Sequence, residues 1–250
     1  MKPCLLIPLY DHGEPVRGVV EALAAYGLPC LIVDDGSGTA TRAALDELER
    51  ENGWLEVHHR ERNGGRGAAL KTGYRLAAER GFSHAVQLDA DGQHDASDVP
   101  RFVREVEREP RALVLGSPIF DDTVPAGRLY WRQLSRAMVW LATLSFEVID
   151  PLCGFRAIPL APTVKLLDTK RLGDHMEFDP ELVIQLVRRG VPVRTVETKV
   201  VYDPHGLSHF DMTRDNWRLS GVYARALAVL PLHVPALLQR KSSARRGAVA

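Results

Sequence analysis

Two aspartates, Asp89 and Asp91, stand two residues apart where the short apolar run Ala85-Val86-Gln87-Leu88 gives way to Gly92-Gln93-His94-Asp95. Side chains two apart on a strand share a face, and a glycine turn can bring both carboxylates onto one cation. A hard divalent ion such as Mg²⁺ or Mn²⁺ takes oxygen ligands and keeps part of its shell for substrate phosphates. Two carboxylates with the side chain of Gln93 or His94 would leave room for a diphosphate, so the stretch reads as a metal–diphosphate platform. An Asp-x-Asp pair alone is unspecific, because acids and glycine are common where strands turn. A calcium loop is excluded. Asp89, Asp91, Gln93 and Asp95 fall at its first, third, fifth and seventh positions, but His94 replaces the turn glycine and Pro100 the bidentate glutamate.

The elements that must position these acids alternate along the chain. Apolar runs at Cys4–Pro8, Cys30–Val33, Leu55–Arg60, His84–Leu88 and Ala112–Gly116 read as strands. Between them lie helical patterns. Val16, Val19, Val20, Leu23 and Ala24 recur at helical spacing until Gly27-Leu28-Pro29, and Ser37 or Thr39 caps a helix through Leu45 and Leu48. Asn63-Gly64-Gly65-Arg66-Gly67-Ala68 opens a small-residue helix reaching Arg80, and another helix covers Val99–Glu107. This alternation predicts an α/β protein with a mostly parallel central sheet flanked by helices, whose ligands gather at the carboxyl ends of the strands. The polar punctuation falls there: Tyr10-Asp11, Asp34-Asp35, Asn63 to Gly67, and Asp89 to Gln93. Neither common glycine loop is present. The first turn is Pro8-Leu9-Tyr10-Asp11-His12 rather than Gly-x-Gly-x-x-Gly, and Leu70 stands where a P-loop needs glycine before Lys71-Thr72.

The chain of 250 residues is 45% hydrophobic and 26% charged, enough for one large domain or one domain with an appendage. Zero formal net charge argues against a nucleic-acid partner. Cys4, Cys30 and Cys153 are widely spaced, which fits buried, reduced thiols rather than a disulfide or metal framework. No signal-peptide pattern follows Met1 and no run reaches the roughly 18 apolar residues of a membrane span, so a cytoplasmic location is expected.

In order and spacing, Pro8-Leu9-Tyr10, Val33-Asp34-Asp35-Gly36-Ser37, Asn63 to Ala68 and Asp89-Ala90-Asp91-Gly92-Gln93-His94 resemble the signature of family 2 glycosyltransferases with the GT-A (nucleotide-diphospho-sugar transferase) fold. The likeness is to the dolichol- or polyprenyl-phosphate mannosyltransferase branch and covers roughly residues 4–205. It implies that Pro8, Tyr10, Asp34 and Asp35 line a nucleobase and ribose pocket, with Arg66 and Ala90 also on the donor side. It implies further that Asp89 and Asp91 contact ribose and metal, that Gln93 completes the metal site, and that Asp91 takes part in catalysis. The implied cofactor is Mg²⁺ or Mn²⁺ and the implied donor a nucleotide sugar.

The second half carries the acceptor side. Gly116-Ser117-Pro118 departs from the branch's Gly-Ser-Arg, which removes one cationic contact to a phosphate. Arg128, Arg132 and Arg136, at i, i+4 and i+8, either supply such a contact or form a solvated basic face. The helix Arg128–Phe146 is apolar enough for core, with one side able to shelter a lipid tail. Val148 to Arg156 resembles the family's Asp-x-x-x-Gly-Phe-Arg segment, making Asp150 the first candidate base and Arg156 a phosphate ligand. Cys153 has nothing nearby to activate it and reads as structural. Glu177 and Asp179 are second candidates for the base, or caps of a helix through Leu182, Ile184 and Leu186. Val191–Tyr202 is a late strand. The loop Pro204 to Phe210 resembles Arg-x-x-Gly-x-Ser-Lys, with His205 and His209 at the cation positions.

After Trp217 the chain is helical and apolar to Leu238 and ends in a basic tail. It either docks on the inner face of an anionic membrane or packs on its own domain. The expected organisation is a GT-A domain over 1–212, with a nucleotide-sugar half (1–118) and an acceptor half (119–212), then a helical segment and tail over 213–250. The expected function is metal-dependent, inverting sugar transfer from a nucleotide sugar to a lipid-phosphate or other envelope acceptor. The alternatives are a sugar-nucleotide pyrophosphorylase and an inactive nucleotide-sugar-binding partner subunit.

Overall fold

The computed structural model describes residues 1–119, 126–200 and 211–247. Strand β1 (Pro3–Leu9) is buried along six of its seven residues and β2 (Cys30–Asp34) along all five. Such continuous apolar runs belong to strands covered on both faces. β1 pairs in parallel with β2 and with β4 (His84–Gln87), and β2 with β3 (Leu55–His59). β5 (Leu113–Ile119) pairs in parallel with β7 (Val193–Lys199). With β6 (Arg156–Pro159), the seven strands lie in the order β3-β2-β1-β4-β6-β5-β7.

The period of two sends alternate side chains to opposite faces. Leu5, Ile7 and Ile32 pack with α1 (Gly13–Leu23), α2 (Thr39–Glu51) and α4 (Val99–Arg108). Leu6, Leu31 and Val33 pack with α3 (Arg66–Glu79), α5 (Ala126–Thr143), α6 (Leu160–Thr169), α7 (Phe178–Arg188) and α8 (Met212–Ala228). Helix α9 (Leu230–Gly247) follows α8. Among the described residues no single helix is long and apolar enough to cross a membrane; Thr213–Ala228 and Leu230–Gln239 pass that test only together, with a 66° bend between them.

Two features depart from the sequence expectation. β6 (Arg156–Pro159) enters the sheet antiparallel between β4 and β5, where the sequence reading had an acceptor segment and no strand. A four-residue strand that opens on arginine and ends on proline carries no periodic signal. Helix α7 is buried along all eleven residues, including Asp179, Glu181, Gln185 and Arg188. Arg188 donates to the carbonyls of Ala142 and Ala226 at 2.9 and 2.8 Å, tying together the C-terminal ends of α5 and α8. The loop with His205 and His209, and the side chain of Arg128, lie outside the described residues.

Register decides where the polar turns meet. Leu9 lies beside Asp34 and Asp34 beside His59, so these three strands end level with one another. The turn before α3 holds Gly65 at φ +96°, where a methyl group would run into the His175 ring and the Asp174 carbonyl. Gly65→Ala is therefore expected to lower stability by at least about 2 kcal/mol, about 4–8 °C in Tm. Gly18→Ala, with open space around it in α1, should leave Tm unchanged or raise it. Thermal denaturation of the two variants checks the contrast.

Candidate active site

β4 stops at Gln87, and the next turn delivers Asp89 and Asp91 to the carboxyl rim of the sheet. The Gln93 amide donates to Asp91 Oδ1 at 3.0 Å and holds the turn closed. Burial pushes the Asp91 carboxyl up, and the neighbouring Asp89 charge pushes it further. Burial would raise Asp89 too, but the Arg66 guanidinium and His94, with Nε2 at 3.5 Å, outweigh it and hold Asp89 well below the usual carboxylate range. His94 rests on Phe155, which stacks on Phe102 at 4.0 Å. Gly154 lies directly behind Asp89. Its carbonyl accepts from Gln87 Nε2 at 3.0 Å, and the Tyr74 hydroxyl donates to Gln87 Oε1 from the other side.

Arg66, in the first turn of α3, reaches Asp89 with one nitrogen and Asp179 of α7 with another. Arg156 Nη1 lies 3.2 Å from the other Asp179 oxygen. The result is an alternating row, Asp89–Arg66–Asp179–Arg156, with its inner members largely out of water. Arg156 is 0% exposed and spends its remaining donors on the carbonyls of Cys153 and Pro151. The sequence reading of Arg156 as a phosphate ligand is thus corrected: its strand places it in the middle of the sheet. The reading of Asp34 as a donor ligand is corrected likewise. Asp34 is buried and accepts from the Ser37 amide at 2.9 Å, with His59 Nδ1 at 2.7 Å and Arg42 Nε at 3.4 Å. Asp35 does reach the cavity wall, where it also accepts from Arg60 and from the amides of Gly64 and Gly65.

A cavity of about 850 Å³ opens over this rim. Pro8, Tyr10, Asp35, Arg66, Asp89, Ala90, Asp91 and Gln93 line its polar end together, as does Arg132 of α5 further along. Asp150 does not line it. One Asp150 oxygen accepts from Arg132 Nε at 2.8 Å, the other from the Leu152 amide at 2.8 Å, so the carboxylate stands behind Arg132 and orients it. That position does not suit the base expected of Asp150. Asp179 does line the cavity, between its two arginines. Arg136 is turned onto the Trp140 ring at 4.8 Å and is not a cavity cation. Burial pushes the Cys153 thiol up to about 12, which fits the structural role read for it. The sequence reading missed His12, His175 and the N-terminal half of α8, whose Arg214 and Arg218 also line the cavity. Their i, i+4 spacing is the same signal that singled out Arg128 and Arg132 on α5.

Among the described residues no three His, Cys, Asp or Glu side chains are grouped to hold a metal. The donor set at the turn is two crowded carboxylates and an amide, all oxygen ligands, and Asp89 already draws a guanidinium onto itself. That set fits a hard divalent cation.

Comparisons with known proteins agree with this fold. The structure is similar over 93% of its length to glucosyl-3-phosphoglycerate synthase from Mycobacterium tuberculosis in complex with Mn²⁺ and UDP-glucose, at 18% identity and TM-score 0.64 over 78% of that chain. It is similar over its whole length to the mannosyltransferase PcManGT from Pyrobaculum calidifontis in complex with GDP-Man and Mn²⁺, at 13% identity and TM-score 0.58 over 81% of that chain. The architecture is thus the GT-A fold of glycosyltransferases. Residues 4–156 match the model of glycosyl transferase family 2, and the chain belongs to that family. Its relatives include undecaprenyl-phosphate mannosyltransferase from Micrococcus luteus, 28% identical over 80% of this chain and 86% of that protein. They also include the UDP-N-acetylglucosamine–dolichyl-phosphate N-acetylglucosaminyltransferase of Methanococcus voltae, 26% identical over 82% of this chain and 87% of the relative. The protein is therefore a glycosyltransferase whose relatives are polyprenyl-phosphate sugar transferases.

A methyl group on Gly154 would collide with Asp89 Oδ2. Gly154→Ala is expected to displace Asp89 and to weaken Mn²⁺-dependent nucleoside diphosphate binding by tenfold or more. Because the collision is with one side chain, far-ultraviolet circular dichroism should stay as in the parent protein. Titration calorimetry of both proteins measures the loss.

Proposed function

We propose that this glycosyltransferase is metal-dependent and inverting, and that it moves a sugar from a nucleoside diphosphate sugar to a lipid phosphate. The observation that carries the acceptor class is the cavity's two chemistries. Its polar end is built from Asp89, Asp91, Gln93, Tyr10 and Asp35, and its other end, between α5 and α8, from Leu134, Met138, Leu152, Leu219, Ala224 and Leu227. A polar donor and an aliphatic chain fit the two ends of one cavity.

Asp89, Asp91 and Gln93 would hold the Mg²⁺ or Mn²⁺ ion. When bound, such an ion neutralises charge on the departing diphosphate. Pro8, Tyr10 and Asp35 flank the space for base and ribose, and Arg66 brings a fixed positive charge beside it. Asp150 keeps Arg132 aimed into the cavity. A phosphate acceptor is already anionic, so its attack needs little help from a base. Asp179, engaged by Arg66 and Arg156, serves as an anchor for that charge.

The exposed apolar side chains Trp217 and Leu232, both 81% accessible, lie on α8 and α9, shortly before the basic run Arg240-Lys241…Arg245-Arg246. That pattern supports peripheral contact with an anionic membrane face on the side where nucleotide sugars are present.

The test is a thermal-shift panel of GDP, UDP, dTDP and CDP, each with Mn²⁺ or with EDTA. One diphosphate should raise Tm in Mn²⁺ and not in EDTA, which also names the donor's base. Asp91→Asn should fold normally, lose that metal-dependent shift and reduce transfer at least a hundredfold. Normal turnover by Asp91→Asn would remove the metal platform. A parent protein that binds a diphosphate without any transfer would favour the inactive-partner reading.

A further inference from the structure

Helices α5 and α8 lie side by side and point the same way. Ser135 and Tyr223 join hydroxyls between them, and Arg188 caps Ala142 and Ala226 at one shared end. Arg132 stands three residues before Ser135, and Arg218 five before Tyr223. At 1.5 Å per residue, both lie about 5–8 Å from the hydroxyl contact, toward the N-terminal ends, and Arg214 is one further turn along. All three arginines line the cavity, as do Met138, Leu219 and Leu227 of the same two helices.

The carboxylates around them are accounted for. Asp150 holds Arg132, and Asp215 accepts from Arg218 at 3.3 Å and from the Asp211 amide at 2.9 Å. Asp211 is turned to its own backbone, where it caps α8 by accepting from the amides of Thr213 and Arg214. Arg214 lines the cavity and its charge acts on Asp211, with no ion pair to a carboxylate among the described residues. The Arg132 and Arg218 side chains are about three-quarters buried, which strengthens a charge-assisted bond over its value in open water. The N-terminal ends of two parallel helices add to the positive field.

We propose that Arg214 and Arg218 of α8, facing Arg132 of α5, grip the phosphate of a single-chain lipid phosphate acceptor. The first carbons of its chain then lie between the helices on Met138, Leu219 and Leu227. This assignment rests on the lipid-phosphate reading and adds to it the residues that distinguish a phosphate from an alcohol. It makes α8 part of the acceptor site rather than an appendage.

The test uses the full-length protein and a short acceptor, farnesyl phosphate, with farnesol and inorganic phosphate as comparisons. Binding is read from the fluorescence of tryptophan, since Trp131 lines the cavity, and by calorimetry. Farnesyl phosphate should bind the parent protein at least tenfold tighter than farnesol or inorganic phosphate. Arg214→Gln and Arg218→Gln should each weaken farnesyl phosphate at least tenfold and leave farnesol unchanged. Arg214→Lys should recover part of the loss. In turnover the Gln variants should raise KM for farnesyl phosphate far more than they lower kcat. Farnesyl phosphate affinity within twofold of the parent in Arg214→Gln would overturn the proposal. An equal loss of Mn²⁺-dependent diphosphate binding would also overturn it, as damage to the whole cavity. Sugar transfer only to phosphate-free acceptors would remove the lipid-phosphate reading, and this assignment with it.

Discussion

Arg66 carries its charge between two carboxylates from opposite halves of the chain. Asp89 belongs to the turn after β4, and Asp179 to a helix about ninety residues later. Removing one partner of such a buried pair strands the other, at a cost of about 3–5 kcal/mol. The bridge therefore fixes the distance between the turn after β4 and the buried helix α7. Arg156 extends it into the sheet, and Gly154, just ahead of Arg156, leaves the space that Asp89 occupies. The Gly-Phe-Arg segment thus does three structural jobs in sequence: room for an acid, a ring under His94, and a counter-charge for Asp179.

The same economy explains how α7 can be buried while carrying charge. Each polar side chain in it has a purpose in the packing. Asp179 meets two arginines, Glu181 accepts from the Gly173 amide at 2.9 Å, and Arg188 caps two neighbouring helices. A buried charge persists when it is paired or hydrogen-bonded. α7 in turn supports α5 and α8, the walls of the apolar part of the cavity. One cavity is then walled by polar turns that belong to the sheet and by apolar side chains that belong to the helices.

Much of this was legible before any coordinates. The strands β1 to β5, the helices between them, and the polar turns at their carboxyl ends follow from hydrophobic period and punctuation. So does the meeting of Asp89 and Asp91 at one rim, because the two acids lie within one short turn and the distance between them is set locally. β6 was not legible. Its four residues carry no period, and its place between β4 and β5 depends on contacts far away in the chain. The roles of Asp34, Asp150 and Arg156 were misjudged for one reason. Residue type and motif position are properties of the sequence, whereas solvent access depends on which neighbour arrives first with a countercharge. His59 and Arg42 took Asp34, Arg132 took Asp150, and the sheet took Arg156.

By itself, then, the sequence determined the fold class, the parallel core and the acidic turn, all products of local patterning and short-range geometry. Only the tertiary structure decided that Arg66 joins the two halves, that Asp179 rather than Asp150 reaches the cavity, and that α8 brings Arg214 and Arg218 to it. Those are long-range juxtapositions, and they form because burying apolar helix faces brings distant charged groups together, where they must then find partners.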